Sequence, residues 1–141
     1  MLGITVLNTA VVTLAVLIHY ECLLRLNAWM PRLILWHRFR IAFGVLGALV
    51  AHALEIWCFA LAYFNLIRTG GHGSLVGAFD GTVLDCAYFS FVTFTTIGFG
   101  DIEPIGALKF LAGLEGLTGL VLISWTASFL FLEMQRYWKD R

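Results

Sequence analysis

The chain has 141 residues, 60% of them hydrophobic and only 13% charged, whereas a soluble domain carries roughly a quarter of its residues as charge. That length and composition fit one domain lying within a membrane. The formal net charge is zero, so nothing points to a nucleic-acid partner. Cys22, Cys58 and Cys86 show neither metal-ligand nor disulfide spacing and are expected to act as small buried hydrophobes.

Residues 2–24 are apolar apart from Asn8, three threonines, His19, Tyr20 and Glu21. No basic stretch precedes them and no small-residue cleavage site follows, which favours a transmembrane helix over a signal peptide. At about 1.5 Å per residue the segment crosses a hydrocarbon core of about 30 Å. His19 and Glu21 fall near its end, where the membrane interface would accommodate them. Residues 25–40 then mix Arg25, Arg32, His37, Arg38 and Arg40 with Trp29, Leu33, Leu35, Trp36 and Phe39. Basic residues interleaved with Trp and Leu predict an amphipathic segment in the interface, with a partner-binding segment as the alternative. Pro31 starts or bends a helical turn there.

A second span is expected over residues 41–67. His52 and Glu55 lie one turn apart on one face of it, and ionisable groups at that depth face protein or water. Two residues are too few for a metal site. A buried polar contact with a neighbouring helix is the expectation, with pH sensing through His52 as the alternative. Residues 68–84 hold five glycines and read as a loop on the water side, with His72 solvated.

Residues 85–95 (Asp-Cys-Ala-Tyr-Phe-Ser-Phe-Val-Thr-Phe-Thr) begin with an acid suited to an N-cap or first turn. Eleven helical residues reach about 16 Å, half a bilayer, which predicts a re-entrant half-helix. Its C-terminus, the negative end of its dipole, leads into Thr95-Thr96-Ile97-Gly98-Phe99-Gly100-Asp101. Irregular backbone at membrane depth is tolerated only where protein buries it or water lines it. A threonine followed by alternating glycines can present a narrow ribbon of carbonyls that replaces the water around a cation.

The last span is expected over residues 105–132, with Pro104 in its first turn. Gly106, Gly113, Gly116 and Gly119 permit close helix approach or a bend, and Glu115 is its one interior acid. The nine residues after it leave no room for a regulatory domain in this sequence. Seven of the nine lysines and arginines (Arg25, Arg32, Arg38, Arg40, Arg136, Lys139 and Arg141) fall on one side of this topology, and only Arg68 and Lys109 on the other. Basic residues favour the cytoplasm, so the N-terminus and the ribbon are expected to face outward and the C-terminus inward.

Thr95 to Asp101 closely resembles the selectivity-filter signature of potassium channels, in its Thr-Ile-Gly-Phe-Gly-Asp form. Residues 87–95 look like the family's pore helix, and Leu114-Glu115-Gly116-Leu117-Thr118-Gly119 is similar to inner helices of small bacterial members. The resemblance covers about residues 41–136. It implies an all-α membrane protein: three transmembrane helices, a re-entrant pore half-helix with its filter between the second and third, and a homotetrameric pore. The chain then divides into an extra N-terminal helix (1–24), the interfacial linker (25–40), the pore domain (41–136) and a short cytoplasmic tail (137–141).

Carried over by residue, the resemblance places the ion-binding ribbon at Thr96, Ile97, Gly98, Phe99 and Gly100, with K+ on the carbonyls of Thr96 to Phe99 and the Thr96 hydroxyl closing the innermost site. Thr95, Asp101, Tyr88, Phe89 and Val92 become filter supports, and Gly116, Gly119 and Glu115 gating or hinge candidates. Glu115 is expected behind the filter on pore-helix groups, with tuning of the cavity as the alternative. Three positions depart from the pattern. Phe99 lacks the usual tyrosine hydroxyl, Phe89 replaces its aromatic donor, and Val92 stands where some members pair an acid with the filter aspartate. The filter is therefore expected to rest on Phe89–Phe99 packing, with Tyr88 as the partner of Asp101.

The function implied is passive, potassium-selective conduction in a bacterial inner (plasma) membrane, without cofactor beyond the permeant K+. A cation channel of relaxed selectivity and a non-conducting assembly or signalling subunit are the alternatives. No nucleophile–base set appears, and the Gly98-Phe99-Gly100 start of a nucleotide fingerprint fails at Glu103, so an enzyme is not expected. No helix carries the arginine ladder of a voltage sensor. Lipid or tension, pH, the filter itself or a separate regulatory subunit remain as gating candidates.

Overall fold

The computed structural model describes residues 2–32 and 37–138. The order is α1 (Leu2–Trp29), a 3-10 turn (Met30–Arg32), α2 (His37–Thr69), β1 (Gly73–Gly77), α3 (Val83–Phe94), β2 (Ile102–Gly106) and α4 (Leu108–Trp138). Three of the helices, α1, α2 and α4, are long and apolar enough to cross a membrane. At 12 residues, α3 reaches only about 18 Å. It is the half-helix between the second and third spans, as the all-α reading requires.

α1 buries a narrow stripe: Asn8, Ala15, His19, Leu23, Leu26 and, just past its end, Met30. These positions recur at three, four or seven residues, so they lie along one side of the helix. Small residues on α2 receive the stripe. A Cβ on Gly47 would stand 2.4 Å from Leu26 Cδ2, and one on Gly44 would meet Met30 Sδ at 3.1 Å. Helices in lipid associate by such close contact, because burying apolar surface gains nothing there. A core of Ile56, Phe59, Tyr63, Phe89, Phe94, Leu111 and Leu122 then joins α2, α3 and α4.

Several expected boundaries move. α1 does not stop at Leu24 but runs to Trp29, and α2 begins at His37. Most of the described part of the expected interfacial segment is therefore continuous with α1 or α2 rather than a separate element. Helix continuity there is supported by the Glu21–Arg25 pair at 2.7 Å, four residues apart. Residues 33–36, also assigned to that segment, and tail residues 139–141 lie outside the described residues. The longer α1 also places His19 within its buried stripe, with none of its surface exposed, instead of at the membrane interface.

The glycine-rich stretch is not wholly loop. Gly73–Gly77 pairs antiparallel with Ile102–Gly106, from Gly73 opposite Gly106 to Gly77 opposite Ile102. Pro104 consequently sits in β2 and not in the first turn of the last helix, which starts at Leu108. A two-stranded ribbon has free outer edges, where the missing N–H of proline costs no ladder bond. The β1–β2 pairing brings together the chain before α3 and the chain after residue 101, and so fixes both ends of that insertion.

Candidate ion pathway

α3 begins in a capping box. Thr82 is its N-cap, Asp85 N–H donates to Thr82 Oγ1 at 3.1 Å, and Asp85 Oδ2 accepts from Thr82 N–H at 3.1 Å. Asp80 N–H donates to the same carboxylate. The bonds from Thr82, with that from Asp80, hold the Asp85 carboxyl below its ordinary range. The helix ends at Thr95, whose N–H and Oγ1 both donate to Phe91 O, at 3.1 and 2.6 Å.

The chain then folds back over the helix end. Thr96 N–H reaches Thr93 O at 2.9 Å, while Ile97 and Gly98 N–H both reach Val92 O, at 3.0 and 3.3 Å. The first three donors of this stretch are thereby directed back onto α3. Among the described residues, no hydrogen bond reaches the carbonyls of Thr96 to Gly100. Val92 thus holds the backbone of Ile97 and Gly98 through its carbonyl, a contact its apolar side chain does not reveal.

Along the ribbon, φ is positive at every second residue: Thr96 (+58°), Gly98 (+59°) and Gly100 (+78°), but not at Ile97 or Phe99. Alternation between the left- and right-handed regions turns successive N–H groups to one side and leaves the carbonyls to the other. Added Cβ atoms at Gly98 and Gly100 would meet nothing within 4 Å, so glycine is required by conformation, not by space. Thr96 is, among the described residues, the single non-glycine residue with positive φ. Such strain persists where surrounding structure imposes it, here the bonds to Val92 and Thr93.

At the outer end Tyr88 Oη donates to Asp101 Oδ2 at 2.7 Å, the pairing expected for these two residues. That bond, more than burial, raises the Tyr88 phenol above its ordinary value. The Asp101 carbonyl accepts from Ala78 N–H at 2.8 Å, and a Cβ on Gly77 would stand 2.2 Å from it. The strand pair β1–β2 therefore holds the Asp101 end of this segment.

Within the chain the two rings of the expected Phe89–Phe99 packing have different surroundings. Phe89 is buried edge-on against Tyr63 of α2, with ring centroids 5.1 Å apart. Phe99 shares an exposed apolar groove with Tyr88, Phe91, Val92, Thr95 and Ile97. Consecutive helical residues point about 100° apart, so when Tyr88 faces the filter, Phe89 turns away from it.

Glu115 is fully buried behind α3. Tyr63 Oη donates to its Oε2 at 2.6 Å, and Ser90 Oγ to its Oε1. Ser90 also lies 2.8 Å from Ile56 O. One carboxylate so connects α2, α3 and α4. Neither hinge glycine interrupts α4, which is continuous from Leu108 to Trp138. A Cβ on Gly119 would stand 2.0 Å from Phe94 O, whereas one on Gly116 would find its nearest neighbour, Thr93 O, at 3.5 Å. Gly119 lets α4 pass over the end of the pore helix.

His52 and Glu55 do meet another helix. Their partner is His19 of α1, and Thr126 of α4 joins them. His19 was missed because its depth depended on where α1 ends. Cys86 is buried, while Cys22 and Cys58 are half-buried.

Residues 51–136 match the model of a family described as ion channel. No curated protein and no solved structure matches the chain.

Proposed function

The chain belongs to this ion channel family, and from that premise we propose that it conducts K+ selectively and passively through a filter formed by Thr96 to Gly100 from four copies. The observation that carries the reading is the alternating sign of φ at Thr96, Gly98 and Gly100, with every carbonyl between them left without a donor. Unsatisfied carbonyls at membrane depth are expensive unless a cation or water meets them. A row of them can take the place of the water around K+.

A single chain leaves Ile97 58% and Phe99 67% exposed beside that backbone. Lipid does not tolerate such irregular backbone, which supports closure of the ribbon by other copies around an axis. The distribution of basic residues supports an outward filter, with the N-terminus outside and the C-terminus in the cytoplasm of a bacterial inner membrane. The strongest observation for relaxed selectivity is that the Phe99 side chain has no hydrogen bond to hold the ribbon's width.

Purified protein in potassium-loaded liposomes tests the proposal. Potassium efflux from these liposomes, with no comparable sodium efflux from sodium-loaded ones, is the expected result. Equal fluxes of both ions would assign relaxed selectivity, and no flux from a correctly assembled protein would assign a non-conducting subunit.

A further inference from the structure

The extra helix α1 is joined to the pore by a polar cluster that the filter does not use. His19 Nδ1 lies 2.8 Å from Glu55 Oε1, and His52 Nδ1 lies 2.9 Å from Glu55 Oε2. Each carboxylate oxygen thus takes one imidazole, and with Glu55 ionised both Nδ1 atoms carry the proton. The Nε2 lone pairs of both rings then converge on one hydroxyl. Thr126 Oγ1 stands 3.0 Å from His52 Nε2 and 3.5 Å from His19 Nε2.

One hydroxyl brings one proton and can satisfy only one of the two lone pairs. His19 and Glu55 have no exposed surface, so the other lone pair is a buried acceptor without a donor, beside a buried carboxylate. Burial of that kind is costly unless a positive charge is supplied. Geometry and charge together point to a missing cation.

We propose that His19, His52 and Glu55 hold a divalent transition-metal ion of the zinc class between the extra helix and the pore. One donor atom from each residue lies within 4.8 Å of the others. Two ligands on a tetrahedral zinc ion stand roughly 3.4 Å apart, so side-chain shifts of about an ångström complete the shell. Imidazole nitrogen selects this class over magnesium or calcium, and two histidines with one carboxylate leave a fourth position. With the ion on the Nδ1 side beside Glu55, each ring carries its proton on Nε2 and Thr126 Oγ1 accepts from both. Helical bundles build metal sites from such residues on facing helices, one turn apart where two share a helix.

His52 and Thr126 also stand in the wall of a cavity of about 430 Å³ between α2, α3 and α4, otherwise mostly apolar and reaching Phe94 and Thr95. That position places the clamp beside Phe94, whose ring lies 5.8 Å from that of His52. A single extra proton is the competing occupant of the cluster.

The full chain, purified in detergent and stripped with a chelator, is titrated with Co2+ and then with Zn2+. Saturable binding of one Co2+ per chain is expected, with the visible absorption of a low-coordinate nitrogen–oxygen site that Zn2+ abolishes. The thermal unfolding midpoint should rise with either metal, because the ion binds the folded state. His19→Gln and Glu55→Gln should each weaken Co2+ binding by at least about 100-fold, and Thr126→Val by less than about tenfold.

Folded wild-type protein that binds no Co2+ saturably overturns the proposal, and so does binding equally tight in His19→Gln. Stability that responds to pH but not to metal assigns the cluster to a proton instead. The wild-type titration needs no variant to fold. It reads binding without ion flux, so its failure leaves the conduction reading untouched.

Discussion

Two buried carboxylates, Glu115 and Glu55, share a geometry and differ in chemistry. Each is fully enclosed, and each meets two side chains, one on each oxygen. The partners of Glu115 are the hydroxyls of Tyr63 and Ser90, which are neutral donors. The partners of Glu55 are the imidazoles of His19 and His52, which can take a proton or a metal. The first carboxylate therefore makes a permanent brace from α2 and α4 onto the pore helix. The second makes a conditional tie from α1 onto α2 and α4. The α2–α4 unit carries its own scaffold, while the extra helix adds to its packing of Leu26 and Met30 on Gly47 and Gly44 a tie whose strength, on the proposal above, depends on what fills the cluster.

Glu115→Leu is expected to show the largest effect, because it leaves the buried Tyr63 hydroxyl without its acceptor and takes from Ser90 one of its two, the other being Ile56 O. A loss of about 3 kcal/mol in unfolding free energy follows from that orphaned donor together with the lost bond to Ser90, measured by denaturant unfolding of the assembled protein. The loss should be the same with zinc or chelator present. Glu55→Leu should instead lose the zinc-dependent part of its stability. Equal responses of the two variants to zinc would erase the distinction.

Next in size, Gly119→Ala forces a methyl into the space of Phe94 O and should cost about 2 kcal/mol, with reduced flux. Gly116→Ala, with its nearest neighbour at 3.5 Å, should be neutral or stabilising by up to about 1 kcal/mol through helix propensity. If Gly116→Ala abolished flux while stability rose, α4 would hinge there, and the brace would be less permanent than described.

A smaller loss, about 1 kcal/mol, is expected for Thr82→Ala, which removes the cap of α3. Asp85, held below its ordinary range in the folded protein, contributes stability above the ordinary carboxylate range that is lost as pH falls through the depressed value. Acid should accordingly destabilise the parent protein more than Thr82→Ala, as read from thermal midpoints at neutral and acid pH. The smallest effect on folding belongs to Tyr88→Phe, which deletes the 2.7 Å bond to Asp101. Current should be lost a few-fold faster during sustained opening, and unchanged kinetics would remove Tyr88 from the filter's support.

The parts legible in the sequence were those encoded by neighbours. A half-helix, its capping acid Asp85 and the Thr95–Asp101 ribbon depend on consecutive residues, and the spans depend on long apolar runs. What escaped depends on residues far apart in the chain. Pairing of Gly73–Gly77 with Ile102–Gly106 joins strands separated by the whole pore helix and filter, and its glycines read as loop. His19 looked interfacial because nothing local carried α1 on to Trp29 or set Glu55 opposite it. Phe89 was assigned to the filter by its place in the motif, but the neighbouring Tyr88 already occupied that direction.

The most direct test of the central claim is the reversal potential of single channels in planar bilayers with potassium on one side and sodium on the other. Selective conduction through the Thr96–Gly100 carbonyls predicts a reversal displaced strongly toward the potassium equilibrium potential. A reversal near zero in open, stable channels would contradict it.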